Sequence, residues 1–173
     1  MRHMAQHDPL TNLPNRALFA DRLEQALRSA QRHRTQLALM FIDLDDFKVV
    51  NDHYGHELGD ELLKQVSQAM TVNLRAADTV ARMGGDEFVV LLDDITGPEE
   101  AHTVAEKIRH ACAQPFQVRQ IPMHISTSIG LALYPHDALT DADLIRAADQ
   151  AMYQAKEAGG NQIRAGSGNY PNT

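Results

Sequence analysis

Two acidic clusters hold the residues of this chain best suited to chemistry. One is Asp86-Glu87, directly behind Gly84-Gly85; the other is Asp43-Leu44-Asp45-Asp46. Adjacent carboxylates at a tight turn repel each other unless a cation or another positive group sits with them. On residues 84–87 alone, a solvated acidic turn accounts for the sequence as well as a metal–phosphate site does. The second cluster shifts the balance, because carboxylates at a strand end that face a carboxylate turn suit a Mg²⁺ site for nucleotide chemistry. Mg²⁺ wants hard oxygen ligands, takes one or two carboxylates, and fills its shell with substrate phosphates.

Periodicity shows which elements must position these groups. Apolar runs at 79–83 and 88–92 flank the Gly-Gly-Asp-Glu segment and predict a β-hairpin. The run 37–44 is long enough for a buried strand and delivers Asp43 at its end. Asn15 is placed to cap a helix running to about Arg34, with Leu18, Phe19, Leu23, Ala26 and Leu27 on one face. A short helix or turn over 47–54, closed at Gly55, precedes a long amphipathic helix over 57–75. Asp45 and Asp46 are expected to cap that short turn. Pro98 opens a further helix, whose buried stripe includes Ala101, Ala105, Ile108 and Cys112. Residues 121–133 alternate with period two, predicting one strand half-covered by helices and paired with 116–119. Thr140 and Asp143 form a capping-box pattern for a last helix to about Ala158, ended by Gly159-Gly160, with an edge strand at 161–165. These elements predict an α+β domain: a central mixed sheet, antiparallel at the hairpin, flanked by helices. The expected division is a linker or turn at 1–14, the domain at 15–165 and a disordered Gly/Ser/Asn/Pro tail at 166–173.

The chain's 173 residues and 43% hydrophobic content suit one domain with a real core. A formal charge of −7 argues against a nucleic-acid partner, which requires a basic face. No apolar stretch reaches the ~18 residues of a membrane span, so no membrane contact is expected of this segment. Cys112 is the single cysteine and cannot form an internal disulfide, which is compatible with a reducing compartment. The expected location is the cytoplasm, or the cytoplasmic part of a larger sensor.

Four blocks in order across the chain resemble the GGDEF domain, the diguanylate cyclase family. They are HDPLTNLPNR at 7–16, FIDLDDFKVVNDHYGHELGDELL at 41–63, GGDEF at 84–88 and AADQAMYQAKEAGGN at 147–161. The resemblance implies a ferredoxin-like palm similar to nucleotide cyclases. It also implies condensation of two GTP to cyclic di-GMP and two pyrophosphates between two facing domains, hence a catalytic homodimer using Mg²⁺ or Mn²⁺. On the matching positions, Asp43, the Leu44 main chain, Asp86 and Glu87 are the metal site, and Asp86 and Glu87 are catalytic. Asn51 and Asp60 match guanine-reading positions, and Lys48 and Lys156 match phosphate contacts. Arg75 and Asp78 match an inhibitory site for the product cyclic di-GMP. Gly160 stands where the family commonly has arginine, which removes a guanidinium from the terminal phosphates; Arg164 lies four residues on. The alternative is a catalytically weak module that binds GTP or cyclic di-GMP and regulates a larger signalling protein. Segments at 114–116 and 133–135 are similar to family members that continue into an EAL phosphodiesterase domain.

Overall fold

The computed structural model describes residues 5–166. Its axis is strand β1 (Gln36–Asp45), which is buried along almost its whole length. Side chains alternate across a strand, and β1 is apolar on both faces, so it needs a layer on each side. Ala38, Met40, Ile42 and Leu44 enter one core cluster, whereas Leu37, Leu39 and Phe41 enter the other. The first cluster is covered by α2 (Phe47–Tyr54), α3 (His56–Thr71) and α4 (Pro98–Cys112); the second by α1 (Arg16–His33) and α5 (Asp141–Glu157).

Strands β2 (Thr79–Gly84), β3 (Glu87–Ile95), β6 (Ser126–Tyr134) and β7 (Gln162–Ala165) complete a five-stranded sheet in the order β2-β3-β1-β6-β7. The β1–β3, β1–β6 and β2–β3 pairs are antiparallel, and β6–β7 is parallel. The sheet is therefore mixed and the fold α+β. The first four strands of this sheet trace two interleaved βαβ units, which brings the hairpin turn beside the end of β1. Among the described residues, no helix is long and apolar enough to cross a membrane.

Most predicted elements are found, with three differences. The segment 121–133 is not one strand. β5 (Ile121–Met123) pairs with β4 (Phe116–Val118) in a separate two-stranded sheet, and β6 begins at Ser126 in the main sheet. Nor is β6 half-covered, since residues 127–133 are all buried. Its second face, Ser128, Gly130 and Ala132, looks polar only because its side chains are small. They are small because α5 lies directly on them: a Cβ at Gly130 would sit 2.0 Å from the Ala148 carbonyl oxygen and 2.3 Å from the Met152 amide nitrogen. The third difference is that α3 stops at Thr71 instead of reaching residue 75. Leu74 still packs against the core from the following turn, so its apolar spacing extends the helical pattern past the helix. Gly166 donates its amide to the Leu131 carbonyl, prolonging the edge; the rest of the expected tail lies outside the described residues.

The contact at Gly130 is backbone against backbone, and neither side can give way. Gly130→Ala is expected to cost about 1–3 kcal/mol or more by overpacking, read from denaturant unfolding, whereas Gly97→Ala, with open space around it, should not show a packing cost.

Candidate active site

Because β1 alternates, the residues at its end have fixed directions. Asp43 and Asp45 are odd-numbered like Leu39 and Phe41, so both face the α1/α5 side. Asp43 pairs in register with Glu87, the first residue of β3. The Gly84–Glu87 pairing leaves Gly85 and Asp86 as a two-residue turn, with Gly85 at φ 52°. A hairpin this tight needs positive φ, which glycine adopts without strain. The Leu44 amide donates to the Asp86 carbonyl at 3.2 Å, pinning the turn to the end of β1. Three carboxylates thus converge where like charges opposite each other are destabilising.

The electrostatics register this crowding. Burial, reinforced by the Asp86 charge, pushes the Asp43 carboxyl from its ordinary 3.8 up to about 7, against the pull of the Lys156 ammonium. Burial, followed by the charges of Asp149 and Asp86, likewise raises Glu87, with Arg16 and Lys156 opposing. Lys156 Nζ, on the last turn of α5, lies 3.2 Å from Asp43 Oδ2. Asp43 Oδ1 is buried with no hydrogen-bond partner. An orphaned carboxylate oxygen between two further acids suits a divalent cation. Among the described residues, no group of three His, Cys, Asp or Glu side chains is gathered tightly enough to hold one. A cation such as Mg²⁺, for which one or two carboxylates suffice, would need fewer ligands than such a group supplies.

A second polar feature lies on the corner between α2 and α3. Asn51 Oδ1 is buried without a partner. A Cβ on Gly59 would stand 1.8 Å from that oxygen, so only glycine lets α3 close over the Asn51 amide. Asp60 follows Gly59 and is exposed, as is Lys48 on α2. Asp60, next in sequence to the Gly59 that covers the Asn51 oxygen, offers an accessible carboxylate that can accept from the donors of a base edge.

Comparison with known proteins accords with this geometry. The family model described as "Diguanylate cyclase, GGDEF domain" matches residues 5–162. The chain belongs to the GGDEF domain family. It is 51% identical over 158 residues to the bifunctional diguanylate cyclase/cyclic di-GMP phosphodiesterase MucR of Pseudomonas aeruginosa, covering 91% of this chain and 23% of MucR. It is 46% identical to the diguanylate cyclase TpbB of the same organism, covering 89% of this chain and 36% of that protein. The chain therefore spans about a quarter to a third of these relatives. The structure of an N-terminally shortened TpbB from Pseudomonas aeruginosa, comprising only the GGDEF domain, superposes with a TM-score of 0.91 at 44% identity, covering 94% of this chain and 95% of that one. The coiled-coil and GGDEF segment of DgcB from Caulobacter crescentus, solved with cyclic di-GMP, gives 0.86 at 30% identity, covering 95% and 87%.

In this GGDEF domain the remaining residues singled out from the sequence lie elsewhere. Arg75 and Asp78 sit at the base of the β2–β3 hairpin, at the opposite end from the turn. The Asp78 side chain is only 2% exposed. It accepts from the Arg75 amide at 2.9 Å, from Arg75 Nη2 at 3.1 Å and from the Asp93 amide at 3.3 Å. Arg75 also donates to the Asp93 carbonyl, so in this conformation the pair closes on itself. Arg164 is on β7 and donates to Gln162. Five participants, Asp45, Asp149, Arg16, Asp8 and Arg82, were not anticipated. Asp45 does not cap α2; its carboxylate is drawn across to β6 and the turn after α5 by Ser126, Ser128 and the Asn161 amide. Asp46 does precede α2, but at φ 57° its side chain makes no capping bond. Asp149 and Arg16 face Glu87 from α5 and α1. Asp8 and Arg82 form a part-buried ion pair at 3.1 Å, and the same guanidinium donates to the Gly85 carbonyl. Burial works against the Asp8 charge, but Thr11 and Arg82 together hold its carboxyl below the usual value. Arg16 and Asp149 fall within the blocks 7–16 and 147–161 but carry no assigned role there; the packing of α1 and α5 on the sheet brings their charges near Glu87.

The charge crowding has a pH signature in the metal-free protein. A raised carboxyl binds its proton more tightly folded than unfolded, so its stabilising contribution is present below pH 3.8 and is lost as pH rises toward about 7. Asp43→Asn removes this loss. In chelator, its thermal midpoint should exceed the wild type's at pH 8 and converge with it near pH 4. Parallel profiles would mean that neither burial nor the Asp86 charge raises the Asp43 carboxyl.

Proposed function

We propose that this domain is a Mg²⁺- or Mn²⁺-dependent diguanylate cyclase, a nucleotidyltransferase that condenses two GTP into cyclic di-GMP and two pyrophosphates across a homodimer. The observation that carries the reading is the Asp43–Glu87 pairing beside Asp86, an acid-rich strand end with one carboxylate oxygen left without a partner. Asp43, the Leu44 main chain, Asp86 and Glu87 would hold the ion, which supplies Lewis acidity toward phosphate and hydroxyl oxygens when bound.

This chain's own residues do the rest. Asn51 and Asp60 orient guanine, since an amide and a carboxylate satisfy its O6 acceptor and its N1 and N2 donors. Lys48 and Lys156 take the β- and γ-phosphates. Glu87, whose raised proton affinity follows from burial and from Asp149 and Asp86, is the acidic partner required for turnover: it either completes the metal site or itself accepts the proton that leaves the ribose 3′-hydroxyl. That oxygen then forms its bond to the α-phosphorus of the GTP held by the facing domain, and the bond to pyrophosphate breaks. Two such transfers close the ring, which is why two domains are needed. With GTP as substrate, the domain belongs on the cytoplasmic side. Gly160 in place of arginine favours a second reading, in which the domain binds GTP or cyclic di-GMP weakly and regulates the rest of a longer protein.

Incubation with GTP and Mg²⁺, followed by chromatography, is expected to yield cyclic di-GMP at a specific activity that rises with protein concentration. Asp43→Asn and Glu87→Gln should each lower turnover by about 10²-fold or more. Turnover near the wild-type level in both variants sinks the cyclase mechanism, and nucleotide binding without product favours the regulatory reading.

Cyclic di-GMP would also act at Arg75 and Asp78, at the far end of the hairpin, through the guanidinium fork and a carboxylate suited to guanine. Titration calorimetry should find that Arg75→Ala binds cyclic di-GMP at least ~10-fold more weakly, a loss of about 1.4 kcal/mol, while cyclase turnover persists. Undiminished binding would place the product elsewhere.

A further inference from the structure

Asp45 is the best-satisfied carboxylate near the site. It lies two residues beyond Asp43 on the same face of β1, and its side chain is 13% exposed. Its Oδ2 accepts from Ser126 Oγ at 2.6 Å and from the Asn161 amide at 2.8 Å, and its Oδ1 accepts from Ser128 Oγ at 2.6 Å. Hydroxyl-to-carboxylate distances this short are those of charge-assisted bonds. In register, Asp45 faces Ser126, but Ser128 faces Asp43. Ser128 nevertheless gives its proton diagonally to Asp45, which leaves Asp43 Oδ1 without a donor. The third donor comes from the turn that follows α5. Gly160, within that turn, packs so closely that a Cβ would lie 2.9 Å from the Asp45 carboxyl carbon. On its far side the Asn161 side chain accepts from Arg109 of α4 at 2.6 Å. Lys156 sits at the C-terminal end of α5 just before this turn, its Nζ 3.2 Å from Asp43 and 3.8 Å from Asp45.

We propose that Asp45 is a positioning residue that acts on phosphate binding through Lys156. Three donors hold its carboxylate in place, so it ties the end of α5 to the end of β1, and the ammonium stands closer to Asp43, at 3.2 Å, than to Asp45, at 3.8 Å. Lys156 is thereby placed at the mouth of the acid cluster, able to leave Asp43 for a triphosphate. Without the tie, the turn after α5 loses its anchor on β1 and the ammonium loses its fixed station. The inference rests on reading Lys156 as a phosphate contact.

A double-mutant cycle tests it, using calorimetric binding of 3′-deoxy-GTP with Mg²⁺, an analogue that lacks the attacking hydroxyl. Asp45→Ala and Lys156→Ala should each weaken binding roughly tenfold, and the double variant should be within about twofold of Lys156→Ala alone, since residues acting through one another are non-additive. Asp45→Asn keeps an acceptor for Ser126 and the Asn161 amide and should stay within about threefold of wild type. A merely structural role predicts additive losses in the Lys156→Ala background. Additivity, unchanged binding by Asp45→Ala, or a loss in Asp45→Asn as deep as in Asp45→Ala overturns the proposal. Should Asp45→Ala not fold, Ser126→Ala with Ser128→Ala takes its place in the cycle with the same expected outcome. A wild type that does not bind the analogue removes the cyclase reading itself. Binding that Lys156→Ala weakens and Asp45→Ala does not removes this inference alone.

Discussion

The constraint on which this domain turns is the meeting of like charges at one end of its central strand. Asp43 and Glu87 are partners in an antiparallel ladder, and Asp86 sits in the turn beside them. A fold selected for stability alone would place a neutral pair there, since each carboxylate raises the cost of ionising the next. What keeps the arrangement standing is the rest of the sheet. β1 is gripped by antiparallel neighbours on both edges and by helices on both faces, so the strain is confined to its last residues. Lys156 offsets part of the charge from one side, at Asp43 Oδ2, and Asp43 Oδ1 is left without a hydrogen-bond partner.

Much of this was legible in the sequence, because the signals were local. The apolar run at 37–44 was long enough for a buried strand, and the hairpin was written in its glycines. Asn15 and Thr140 cap α1 and α5 through their side chains as their positions suggest. What stayed hidden depends on which face a residue takes and what lies over it. Ser128 and Gly130 look like a solvent face until α5 is placed on them, and Leu74 looks helical although it packs half-buried from a turn. Asp45 is the sharpest case. Its neighbours in sequence suggest a cap, yet its three donors come from residues more than 80 positions away, which no local pattern encodes.

The β2–β3 hairpin has a different polar assembly at each end. At its turn are the crowded carboxylates; at its base Arg75 and Asp78 close on each other and on the Asp93 main chain. The strands between them carry no charge into the core: Val80 and Ala81 on β2, and residues 88–92 on β3, are buried in one cluster or the other. The two ends are thus separated electrostatically but joined by one rigid ladder.

The chain that enters ahead of α1 is bonded to this same ladder. The Pro14 carbonyl accepts from the Arg82 amide, and Asp8 holds the guanidinium that grips the Gly85 carbonyl. A fragment begun at Asn15 would retain every strand and all helices from α1 onward. It would nevertheless strip the turn of its outer brace and strand a part-buried guanidinium without its counter-charge. Whatever pulls or twists the incoming polypeptide therefore acts on the hairpin directly as well as on the Asn15 cap of α1. Mechanically, the first contact of the domain with its upstream chain is also a handle on its acidic turn.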